Sequence, residues 1–142
     1  MTQVQGERNH QDEGAQLERR HVFVVNSSPE FLDLMRDLLQ DEHYNVTTTN
    51  HVPRTFDQVE VLQPDVLVID VAVGERAGWD LLDRLHAEAS TNNIPVLVIS
   101  TDPRLLERAR AAASRHGRSA FLAKPFDLEV MLGVIQELIG PA

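Results

Sequence analysis

Two four-residue runs, Val66-Leu67-Val68-Ile69 and Val96-Leu97-Val98-Ile99, contain no polar position. A strand with one wet face alternates apolar and polar residues, so an unbroken run of this kind needs cover on both sides of its sheet. Stretches with apolar residues at helical spacing lie between and around these runs. Short buried strands alternating with amphipathic helices specify βαβ units, and hence a parallel sheet with helices on each face.

From His21 onward the pattern yields five such units. The predicted strands are His21 to Val25, Tyr44 to Thr49, Asp65 to Ile69, Pro95 to Ile99 and Ala120 to Leu122. The first helix starts behind the hydroxyl of Ser28, with Pro29 at its first position, and runs to about Gln40 with Phe31, Leu34, Met35, Leu38 and Leu39 as its apolar residues. Four more are expected at Pro53 to Leu62, with Phe56 and Val59 inward, about Trp79 to Ala89, Pro103 to about Arg115, and from the cap Asp127 to about Ile139. Trp79 and Met131 read as core. Right-handed crossovers and two-sided cover leave the flavodoxin-like order 2-1-3-4-5, a three-layer (βα)5 sandwich, as the expected α/β architecture, with the Thr-rich second strand at an edge.

Residues 1–20 have almost no periodic apolar positions and read as a flexible polar tail, which places the domain at 21–140. A formal net charge of -9 argues against a nucleic-acid-binding body, and the absence of cysteine excludes thiolate chemistry and disulfides. No stretch approaches the ~18 apolar residues of a membrane span, and the N-terminus has no apolar leader, so a cytoplasmic protein is expected. The six histidines, at positions 10, 21, 43, 51, 86 and 116, lack the spacing of a zinc site.

The polar residues at the strand ends carry the chemistry. Asp70, Ser100 and Lys124 each follow an apolar run, and the carboxyl ends of parallel strands are where ligands collect in such sheets. In the expected order Asp70 faces Asn26 and Ser27, which end the first strand. A carboxylate nucleophile with a hydroxyl and an ammonium nearby suits phosphoryl transfer, in which the charge of the moving group must be neutralised.

Residues 21–140 resemble a receiver domain of the two-component response-regulator family. The landmarks are Asp70 after a hydrophobic strand, Gly78 eight residues on, Ser100 ending the fourth strand, and Phe121 ahead of Lys124-Pro125-Phe126. The resemblance implies that Asp70 is the phosphoacceptor of a histidine kinase, that Ser100 contacts the phosphoryl group, and that Lys124 pairs with its oxygens. It also implies that Ser100 and Phe121 move together as a switch. Receivers carry an acidic pair on the first strand that holds Mg²⁺ with the phosphoacceptor and a backbone carbonyl, here that of Ala72. This chain has Asn26-Ser27 instead. Each unit charge about 4 Å from a divalent ion contributes several kcal/mol at an effective dielectric of ~20, so Mg²⁺ is expected to bind weakly through Asp70 or not at all.

Two outcomes follow from that departure: slow phosphorylation of Asp70, or an interaction module whose Asp70 pairs permanently with Lys124 and whose contacts ignore phosphate. A small-molecule phosphotransfer enzyme with Asp70 as nucleophile is the remaining alternative to a non-enzymatic signalling protein. Ala72 stands where a haloacid-dehalogenase-type phosphatase needs a second acid. Five arginines against two acids between 102 and 118 make the fourth helix a basic strip, with Arg104, Arg108 and Arg115 on one face. Output is therefore expected through a protein partner, or a homodimer, on the surface of helix 4, strand 5 and helix 5, with no attached effector, nucleic acid or membrane.

Overall fold

A computed structural model describes residues 19–50, 52–71, 76–113 and 119–140. The strands are β1 (His21–Val25), β2 (Asn45–Thr49), β3 (Val66–Asp70), β4 (Val96–Ser100) and β5 (Ser119–Ala123). They alternate with the helices α1 (Pro29–Asp41), α2 (Val52–Leu62), α3 (Arg76–Ala87), α4 (Pro103–Ala113) and α5 (Leu128–Ile139). All four strand pairings are parallel and the order is β2-β1-β3-β4-β5. This is the flavodoxin-like arrangement expected.

The apolar runs are continuous because alternate residues feed two separate cores. Phe23, Leu67, Ile69, Val96 and Val98 pack against Phe56 and Val59 of α2, Leu81, Leu82 and Leu85 of α3, and Leu106 and Ala109 of α4. Their neighbours Val22, Val24, Val66, Val68, Leu97 and Ile99 point the other way, onto Leu32, Met35 and Leu39 of α1 and Met131, Ile135 and Leu138 of α5. A side-chain period of two within a run, with helices on both sides, leaves no position for a polar residue.

Several boundaries differ from those predicted. Tyr44 precedes β2 rather than opening it, and is buried with its hydroxyl donating to the Gly140 carbonyl at 2.9 Å. The inward stripe of α1 is Leu32, Met35 and Leu39, whereas Leu34 is exposed, because the sheet contacts a narrower arc than the apolar positions cover. Helix α3 begins at Arg76, three residues early, and Asp127 caps α5 without a side-chain hydrogen bond. Ser28 does accept from the Phe31 amide, at 3.2 Å. Of the tail expected at 1–20, residues 1–18 lie outside the described residues, while the Arg20 carbonyl accepts from the Asn45 amide at 2.9 Å and its guanidinium lies 3.7 Å from Asp65.

At the amino ends of the strands, the His21 ring hydrogen-bonds the Thr47 hydroxyl at 2.7 Å, and the His21 amide donates to Asp65 at 2.6 Å. Burial lowers the His21 imidazole from its ordinary 6.5, with the Asp65 carboxylate acting in the opposite sense. The unfolded chain then binds the proton more readily, so this contribution to stability is present above 6.5 and lost as pH falls through the depressed folded value. Urea midpoints should decline from neutral to mildly acidic pH, and His21→Gln should flatten part of that slope.

Candidate functional site

Asp70 and Ser100 are the last residues of β3 and β4, Lys124 follows β5 and Asn26 follows β1, so the sheet delivers all four to its carboxyl edge. The Lys124 ammonium donates to Asp70 Oδ2, and the same oxygen accepts from Asn26 Nδ2 at 3.1 Å. The Asp70 and Lys124 side chains are 19% and 28% exposed, sheltered enough for a strong charge-assisted contact yet open to a reagent. Phe31 lies beneath the ammonium, its ring centre 5.5 Å from Nζ. Ser100 is fully buried; its hydroxyl accepts from the Asp102 amide at 3.1 Å, and its carbonyl accepts from the Lys124 amide at 2.9 Å. Gly78 of α3 lies beside this edge, where a Cβ would make ordinary contact with the Asp70 carbonyl oxygen at 3.4 Å.

The side-chain amide of Asn26 is oriented from both ends. Its Oδ1 accepts from the Ser28 amide at 2.8 Å, which turns the NH₂ group toward Asp70. A divalent cation binds lone pairs, and the part of Asn26 facing Asp70 is a donor. Ser27 is exposed, and no group of three His, Cys, Asp or Glu residues able to hold a metal ion occurs among the described residues. Among the described residues, the side chains at this edge do not fit a Mg²⁺ site. Ala72, whose carbonyl was expected to complete one, lies outside the described residues.

The other expected site residues are dispersed. Phe121 is half-buried against the α2–α3–α4 core, with the Arg110 guanidinium 5.1 Å from its ring centre. Arg104 is exposed but accompanied by Asp102 at 3.9 Å, and Arg108 stacks on Trp79 at 4.8 Å. Arg115 lies outside the described residues. Sequence reading did not find the roles of Ser28 and Phe31 here. Ser28 was legible as a helix cap, but its amide's hold on Asn26 depends on the turn geometry, and Phe31 looked like an ordinary core position.

A model of the response regulator receiver domain matches residues 22–136. The chain belongs to that family. A relative from Leptolyngbya boryana, an uncharacterised 14.6 kDa protein, is 30% identical over 85% of this chain and 91% of its own length. The DNA-binding dual master transcriptional regulator RpaA of Synechocystis sp. is 25% identical over 83% of the chain, which spans only 48% of that protein. Several other curated relatives match over about half their length or less. Among solved structures, the receiver domain of the sensor histidine kinase PA1611 from Pseudomonas aeruginosa superposes with a TM-score of 0.70. It shares 19% identity, covers 86% of this chain and 98% of its own, and has a magnesium ion coordinated in its active site cleft. This receiver shares that fold. No helix among its described residues is long and apolar enough to cross a membrane.

Proposed function

We propose that this receiver is an atypical response regulator of the cytoplasm, with Asp70 as candidate phosphoacceptor, a histidine kinase as donor, and output through protein contacts. The observation that carries this reading is the contact of Lys124 with Asp70 at the carboxyl edge of the sheet. In the transfer, an Asp70 oxygen attacks phosphorus, the phosphorus–nitrogen bond of the donor phosphohistidine breaks, and the freed imidazole takes up a proton. Lys124 opposes the charge of the arriving phosphoryl group. Ser100 and Phe121, on adjacent strands, are the residues that would respond to it. Mg²⁺ is held weakly or not at all.

A second reading, a phosphate-independent interaction module, draws support from the Asn26 amide, which together with Lys124 already satisfies one oxygen of Asp70. Intact-mass spectrometry after incubation with an acyl phosphate and Mg²⁺ separates the two. A single phosphoryl adduct on wild type and none on Asp70→Asn supports the phosphoacceptor; no adduct from any donor supports the module. Continuous turnover of the donor would instead indicate a small-molecule phosphotransfer enzyme.

The proposed partner surface is α4, β5 and α5, for an acidic protein or a second copy of the chain, with Arg104 and Arg108 at its basic part and Arg115 beyond the described residues. Arg108→Glu should weaken partner binding at low ionic strength, with the difference shrinking as salt rises. Equal affinity of the two proteins at low salt would remove Arg108 from the interface.

A further inference from the structure

We infer that Asn26 serves as a fixed stand-in for a cation: its amide hydrogen compensates Asp70 where a divalent ion would otherwise be required, and so keeps such ions out. The inference holds under either reading above, since it concerns the pocket before any phosphoryl group arrives.

Hydrogen-bond direction at Asp70 is decisive. Asp70 Oδ2 receives both Lys124 Nζ and Asn26 Nδ2, so its negative charge is answered by one full positive charge and one N–H dipole. For Asn26 to offer a cation its oxygen, the amide would have to turn over. That turn would bring its NH₂ group against the Ser28 amide, leaving two donors face to face where Oδ1 now accepts at 2.8 Å. Asn26 is 5% exposed, so water cannot readily take over the lost bond. Glu30, the acid in the first turn of α1, is exposed and lies 3.4 Å from the Ser28 hydroxyl, so its carboxylate is directed at the helix cap. The pocket is thereby closed to hard cations through a single side chain whose orientation the start of α1 enforces.

Asn26→Asp should reverse this. It replaces the donor by a carboxylate beside Asp70, and two carboxylates against one ammonium leave a net negative pocket of the kind that hard divalent ions occupy. The probe is Mn²⁺, followed by the electron paramagnetic resonance signal of the free ion. Wild type is expected to leave the signal undiminished into the millimolar range. Asn26→Asp is expected to sequester the ion at least about ten-fold more tightly, and Asp70→Asn in that background to abolish the gain. Sequestration by wild type that Asp70→Asn removes would overturn the inference, as would an Asn26→Asp protein as silent as wild type. Should that variant fail to fold, the side-chain NH₂ resonances of Asn26 in wild type decide: they should stay in place when Mg²⁺ is added, and a titratable shift would refute the proposal.

Discussion

Lys124→Met is expected to lower the free energy of unfolding by about 2 kcal/mol, and to cost far less when Asp70 is already Asn. The magnitude follows from the setting of the pair. Exposed ion pairs contribute about 0–1 kcal/mol, and breaking a fully buried one costs about 3–5 kcal/mol. Side-chain exposures of 19% and 28% place Asp70 and Lys124 between these limits. Removing the ammonium leaves the Asn26 amide as the hydrogen-bond donor to Asp70 Oδ2, too little for a sheltered charge. A double-mutant cycle by denaturant unfolding measures the coupling. If the two single costs simply add, the contact has no energetic content and the pocket is not a charge-coupled unit.

Phe23→Ala is expected to cost about 3–5 kcal/mol, a large share of the about 5–15 kcal/mol that holds a typical domain together. Phe23 is fully buried on the side of the sheet facing α2, α3 and α4, where its absence would leave a void that the neighbouring strands cannot close. The two-core arrangement sharpens the expectation. Ile69 and Ile135 are both fully buried but on opposite sides of the sheet. Ile69→Val and Ile135→Val, each costing about 1 kcal/mol, should add within about 0.5 kcal/mol. A strong departure from additivity in thermal or urea unfolding would mean that the sheet does not insulate one core from the other.

What the chain announces in advance, and what it hides, divides along physical lines. Strand positions and their order were readable because Val66 to Ile69 and Val96 to Ile99 admit only a doubly covered sheet, and crossover handedness then restricts the topology. The meeting of Asp70 with Lys124 was readable for the same reason: both terminate strands at one edge. Orientation was not. Whether Asn26 would present oxygen or nitrogen to Asp70 is set by the Ser28 amide, a turn contact without a sequence signature. The arginine strip was legible as charge, but the stacking of Arg108 on Trp79 and of Arg110 on Phe121 depends on how α4 lies over α3 and β5. Tyr44 misled for a related reason: a β-former by composition, it is held outside the strand by a bond to Gly140, 96 residues away.

The separations within the pocket also bear on when it comes into being. Asp70 meets Asn26 across 44 residues and Lys124 across 54. Closures of that length come late in folding, after the local turns and helices have formed. During synthesis Asn26 and Asp70 leave the ribosome well before Lys124, so a nascent chain with β1 and β3 already paired still displays an acid without its ammonium. The charge balance at this edge is therefore complete only once β5 has joined the sheet and brought Lys124 to Asp70.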